Sequence, residues 1–188
     1  DQGTRHPNLA LLKISGYCKK FKHNIKLITV YSEIIDECHQ NKYDILFMSK
    51  VFKFTQIPSE ILSKIENNEI VIGGTGFFDM DSPELPYEIE HEMPDYDLYT
   101  DYITKQTDNF TKDVVKYDDY INFSIGFTTR GCFRKCSFCV NRKYDRVYKH
   151  SPISEFLDPK RKGIYLWDDN FMASPDFHNI LDELISTG

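Results

Sequence analysis

Cys132, Cys136 and Cys139 stand at C-x3-C-x2-C spacing, directly after the apolar stretch 122–128 (NFSIGFT), which reads as a strand. No other feature constrains the chain as much, because the end of a strand must deliver this loop. Three thiolates in so short a loop can hold an iron–sulfur cluster by three of its irons, with the fourth iron open to a small molecule. A cluster with an open iron is a reaction centre, whereas one closed by four cysteines carries electrons. The other two cysteines, Cys18 and Cys38, fall on apolar helix faces and read as buried core thiols. An odd count of five, with three bunched at ligand spacing, points to a reducing, cytoplasmic setting rather than a disulfide scaffold.

The chain before the loop alternates helix and strand patterns. Residues 8–22 read as a helix with Leu11, Ile14, Cys18 and Phe21 on its apolar face, started by Pro7. Residues 24–30 (NIKLITV) read as a strand and 32–39 as a short helix led by Ile34, Ile35 and Cys38. The run 43–52 has the near-continuous apolar pattern of a strand covered on both faces. A helix at 59–66 and a strand at 69–72 follow, ending in glycines 73, 74 and 76. Such alternation implies a parallel sheet packed with helices. Residues 79–99 read as connecting structure, and 100–120 as a polar, acidic linker with room for a short helix or hairpin. After the loop, Ser151 and Pro152 look like a short helix start, 163–167 (GIYLW) a strand, and Ser174-Pro175 the cap of a last helix ended by Gly188. Phe177, Ile180, Leu181, Leu184 and Ile185 form that helix's apolar face. The order strand, cysteine loop, helix, strand, acidic loop, helix is that of two βα units.

Charge is uneven. The net charge is −6, yet 130–149 is basic, with Arg130, Arg134, Lys135, Arg142, Lys143, Arg146 and Lys149 against Asp145 alone. Few exposed aromatics interleave with these cations, so the pattern argues against a nucleic-acid partner. No apolar run approaches the ~20 residues that span a bilayer, and the opening residues do not read as a signal peptide, so no membrane partner is expected.

Taken together, these residues resemble a family. C-x3-C-x2-C after a strand, with Phe138 just before the last cysteine, resembles the radical S-adenosylmethionine superfamily. The preceding segment resembles the cobalamin-binding-type domain often found before such barrels. Four pieces carry the likeness to one two-domain subgroup: 5–11 (RHPNLAL), 94–98 (PDYDL), 129–132 (TRGC) and 168–171 (DDNF). The resemblance implies an α/β fold in two parts. A Rossmann-like domain would occupy residues 1–95, a linker 96–120, and the first βα units of a partial (β/α) barrel 121–188. Cys132, Cys136 and Cys139 would ligate a 4Fe–4S cluster whose open iron binds S-adenosylmethionine. An external electron donor would reduce it, giving a 5′-deoxyadenosyl radical that acts on an unspecified small-molecule or macromolecular substrate. Phe138 would meet the adenine, and Asp168 and Asp169 the methionine amino group, where family members often carry Gly-Gly-Glu. Family barrels have about six such units, so the chain reads as a truncated enzyme. An Asp-x-His-x-x-Gly cobalamin loop is absent, although Gly73, Gly74 and Ser49 resemble other elements of that site, so cobalamin could bind only without a histidine ligand and is expected to be lost.

Rival readings remain open on the residues alone. The loop could hold zinc with His150 as fourth ligand, although structural zinc ligands usually come as two separated pairs. It could hold an electron-transfer cluster closed by Cys18 or Cys38. The whole could be an inactive binding or scaffold module. Asp168 and Asp169 could simply be a helix-entry turn, and the glycines could serve only to turn the chain.

Overall fold

The computed structural model describes residues 6–40, 43–109 and 117–187. In chain order its elements are α1 (Leu9–Lys20), α2 (Tyr31–Gln40), β1 (Leu46–Ser49), α3 (Ser59–Glu66), β2 (Ile70–Gly73), α4 (Thr75–Phe78) and α5 (Tyr87–Glu90). There follow α6 (Thr100–Asn109), α7 (Asp118–Asn122), β3 (Phe123–Gly126), β4 (Thr129–Arg130), β5 (Tyr148–Lys149), β6 (Gly163–Leu166) and α8 (Phe177–Ser186). The fold is mixed α/β with small sheets. β1 pairs with β2 and β3 with β6, both parallel, and β4 pairs antiparallel with β5. Among the described residues no closed barrel is formed. Arg5, Phe110, Val114, Val115 and Gly188, which entered the sequence reading, lie outside the described residues.

Helix α1 starts as the sequence expects, with the Asn8 side chain accepting the Leu11 N–H at 3.1 Å. Its buried face differs. Leu9, Leu12, Lys13 and Ser15 are buried, while Phe21 is 57% exposed. Two polar residues can sit inside because each has a partner: Lys13 pairs with Glu90, and the Ser15 hydroxyl donates to Asp95 at 2.6 Å. Periodicity alone ranks such residues as outward-facing, so the predicted stripe is rotated around the helix.

Two apolar clusters organise the interior. One gathers Ile34, Cys38, Leu46, Ile61 and Ile70 from α2, β1, α3 and β2. The other joins Leu9 and Leu12 of α1 to Tyr99, Ile103, Tyr117, Tyr120 and Ile125, and so crosses the 95/96 boundary drawn from the sequence. Residues 24–30 form no strand. Among the described residues they join no strand ladder, and a strand without a ladder partner leaves its amides unsatisfied. Leu27 packs toward one cluster and Ile28 toward the other. The β1–β2 sheet is likewise not covered on both faces, since Phe47 and its register partner Val71 are 37% and 52% exposed.

The expected acidic linker contributes core. Ile103 of α6 is buried, and Tyr99 and Tyr120 pack edge to face at 5.2 Å. A tyrosine buries its ring while its hydroxyl keeps a partner, which a count of polar residues overlooks. The hydroxyl of Tyr120 donates to the His6 carbonyl at 2.9 Å. Between β3 and β6 the crossover carries two short 3-10 segments, Val140–Lys143 and Ile153–Glu155, in place of a longer helix. Pro159 follows closely and disfavours helical backbone at Asp158. In α8, Ile180 is buried whereas Leu181 and Ile185 are exposed, so only part of the expected apolar face is covered.

Candidate functional site

β3 runs through the interior, with Ser124, Ile125 and Gly126 buried. It delivers Thr128 and Thr129, both almost fully buried, to the start of the cysteine loop. The turn after β6 grips this point. Asp168 accepts the backbone N–H groups of Thr128 at 2.8 Å and Thr129 at 3.1 Å, and both threonine hydroxyls donate to its Oδ2. Asp169 takes the next position. Its Oδ2 accepts the Gly131 N–H at 2.9 Å and its Oδ1 the side-chain amide of Asn141 at 2.5 Å. The two ends of the loop, before Cys132 and after Cys139, are therefore tied to one carboxylate. Asn170 completes the series by donating to the Cys132 sulfur at 3.6 Å.

The loop's own backbone is bent in two places. Gly131 has φ of 87°, and a Cβ there would stand 2.4 Å from the Arg146 carbonyl oxygen. Lys135, between Cys132 and Cys136, has φ of 49°, an uncommon conformation for a side-chain-bearing residue. Its ammonium pairs with Asp145 and donates to the Arg142 carbonyl at 3.0 Å. Arg142 donates to the Ser137 carbonyl at 3.1 Å and to the Met80 sulfur at 2.8 Å. Part of the basic stretch thus braces the loop. Arg130 lies 3.5 Å above the Phe127 ring.

The thiols of Cys132, Cys136 and Cys139 are free and half-buried. The Cys139 sulfur accepts the Asn141 N–H at 3.4 Å. Among the described residues no three His, Cys, Asp or Glu side chains are gathered to hold a single ion. A cluster makes a different demand: each of three thiolates takes its own iron from one loop. Three unpaired thiols on a braced, partly open loop, two of them already receiving hydrogen bonds, are a donor set that fits it. Phe138, between Ser137 and Cys139, is 90% exposed. Asp168 and Asp169 face inward onto the loop. Cys38 is buried with Ile34, Leu46, Ile61 and Ile70 and accepts the Tyr43 hydroxyl at 3.2 Å. Cys18 is half-buried on α1.

His150 belongs to a neighbouring network that the sequence did not reveal. Its Nδ1 meets the Ser151 hydroxyl at 3.0 Å, its Nε2 lies 3.5 Å from Glu90, and its ring stacks on His91 at 5.2 Å. His91 in turn contacts Glu155 at 2.7 Å. Lys13 reaches the same Glu90 carboxylate at 3.0 Å, with Arg130 at 3.9 Å. Burial pushes the His150 imidazole down to about 4, and burial likewise lowers Lys13 despite the opposing pull of Glu90. The network links α1, α5 and the hairpin that flanks the cysteine loop. The only advance signal was the presence of two histidines and two glutamates, which no spacing connects.

Beside the hairpin, Lys143, Tyr144, Asp145, Arg146 and Tyr148 line an open groove of about 390 Å³. Burial raises the Tyr148 phenol to about 12. At the other sheet, Gly74 has φ of 99°, and a Cβ there would stand 2.4 Å from the Lys50 carbonyl oxygen. The Gly76 N–H donates to that same oxygen at 2.8 Å. Ser49 accepts the Asn8 side-chain amide at 2.8 Å. These positions serve close packing of the chain on itself.

No protein-family model, no curated protein and no solved structure matches this chain. Among the described residues no helix is long and apolar enough to cross a membrane.

Proposed function

We propose that this chain is a radical S-adenosylmethionine enzyme, with a Rossmann-like first part and the opening βα units of a barrel. The observation that carries the reading is the C-x3-C-x2-C loop that follows the buried strand β3 and is braced by the turn after its parallel partner β6. Cys132, Cys136 and Cys139 would hold a 4Fe–4S cluster. Such a cluster, reduced by an external electron donor, would supply the one-electron reduction that cleaves S-adenosylmethionine. The chain's own residues do the rest. Asp168 and Asp169 fix where the loop begins and closes. Phe138, strongly exposed just before Cys139, would meet the adenine. The oxygens of Asp168 and Asp169 are already shared among loop donors, so their first duty is to the loop rather than to the methionine amino group.

Cobalamin is left out of the proposal. The chain carries no Asp-x-His-x-x-Gly loop, and the Ser49 hydroxyl accepts the Asn8 side-chain amide, while the space beside Gly73 is open.

Anaerobic reconstitution with iron and sulfide tests the reading. About four irons per chain are expected, with an electron paramagnetic resonance signal that changes when S-adenosylmethionine is added. Cys136→Ala should abolish loading while Cys38→Ala leaves it intact. One equivalent of zinc with no iron would overturn the assignment, as would a full cluster in Cys136→Ala.

A further inference from the structure

Residues 168, 169 and 170 meet the cysteine loop in register. Asp168 holds Thr128 and Thr129, Asp169 holds Gly131, and Asn170 meets Cys132. The first two contacts act on backbone and hydroxyl groups and fix the path of the loop. The third is different in kind, because it ends on a thiol sulfur. We propose that Asn170 is a positioning residue that sets the reduction potential of the cluster through its hydrogen bond to Cys132; this rests on the function proposed above.

The physical argument concerns charge. Adding an electron to a thiolate-ligated cluster increases the negative charge shared by its sulfurs. A donor aimed at a ligand sulfur stabilises the reduced form more than the oxidised one, and raises the potential. Two of the three sulfurs receive such a donor. Cys139 takes the backbone N–H of Asn141 at 3.4 Å, which no substitution of that side chain removes. Cys132 takes a side-chain amide at 3.6 Å, which can be changed alone. The amide is held in place because its neighbour Asp169 is anchored by Gly131 and Asn141, so the donor arrives already oriented. Asp168 and Asp169 would make the clamp, and Asn170 would use it to tune the metal.

The test is a redox titration of the full chain, reconstituted anaerobically, with dithionite as reductant and the reduced cluster followed by electron paramagnetic resonance. Asn170→Leu removes the donor at similar volume. It should load as much iron as the parent, yet its reduction equilibrium constant should fall about tenfold, a shift of 59 mV to more negative potential for one electron. Asn170→Asp removes the donor and adds negative charge near the sulfur, and should move the potential further in the same direction. If Asn170→Leu loads poorly, the aspartate variant carries the measurement. Full iron with an unchanged potential overturns this inference and leaves the proposed function standing. Loss of iron from both variants also overturns it, because Asn170 would then be holding the loop and not tuning it. A parent protein that takes up no iron overturns the proposed function and this inference with it.

Discussion

The buried imidazole of His150 makes a quantitative prediction about acid stability. Its side chain is 12% exposed, and burial holds its pKa at about 4 against an ordinary 6.5. Glu90 pulls the value upward, while Arg130, Lys13 and His91 add to the depression. Above pH 6.5 the ring is neutral in folded and unfolded chains alike, and the group contributes nothing to pH dependence. As pH falls from 6.5 toward 4 the unfolded chain takes the proton first, so stability drops with falling pH. Below about 4 both states are protonated and the loss levels off. A difference between 6.5 and about 4, at ~1.36 kcal/mol per unit, corresponds to about 3 kcal/mol. Urea unfolding measured at intervals between pH 7.5 and 3.5 would read this directly. His150→Gln keeps a polar, uncharged side chain beside Ser151 and Glu90 and removes the titration. Its stability should decline less than that of the parent across this window, by about 3 kcal/mol. Parallel curves for the two proteins would refute the reasoning, since they would place the neutral imidazole outside the determinants of folding. A titration of the ring by nuclear magnetic resonance, with a midpoint near 6.5 in the folded protein, would refute it independently.

Two further substitutions test the packing that supports the loop. Tyr96 accepts the Ile125 N–H at 2.8 Å and donates to the Phe156 carbonyl at 2.7 Å, so Tyr96→Phe leaves two buried backbone groups unpaired and should cost roughly 1–3 kcal/mol in denaturant unfolding. A neutral effect would mean that these groups find other partners. At Gly126 an added Cβ would stand 2.3 Å from the Phe156 ring, which is fully buried, so Gly126→Ala should lower stability by about 1–3 kcal/mol. An unchanged midpoint would show that Phe156 can move aside.

Local patterns carried some elements well. The helix read at 59–66 coincides with α3, and Ile34 and Cys38 are buried on α2 as their spacing implies. The strands at β2, β3 and β6 were legible because branched and aromatic residues sit between turn signals. The strand at 24–30 was misread because propensity does not say whether a neighbour exists to pair with. The face of α1 was misread because Lys13 and Ser15 are interior only by virtue of Glu90 and Asp95, which lie far along the chain. At the candidate site the cysteines and the acidic turn were visible as separate motifs. That Asp168, Asp169 and Asn170 fasten onto Thr128, Gly131 and Cys132 could not be read from spacing, since it depends on the register of β3 against β6.

The way α1 is packed bears on how the chain is made. The Tyr99 hydroxyl that meets the Asn8 N–H lies 91 residues later in the sequence, and Ile125 is later still. At roughly 5–20 residues per second, α1 leaves the ribosome on the order of ten seconds before those partners. The cluster of Ile34, Cys38, Leu46, Ile61 and Ile70 is complete much earlier and can condense during that interval. Synthesis would therefore pass through a stage in which the cluster of Ile34, Ile61 and Ile70 is formed while Leu9 and Leu12 wait uncovered. Slow translation across residues 73–98 would prolong that stage, and the waiting helix would be the segment that a chaperone or an aggregating neighbour meets first.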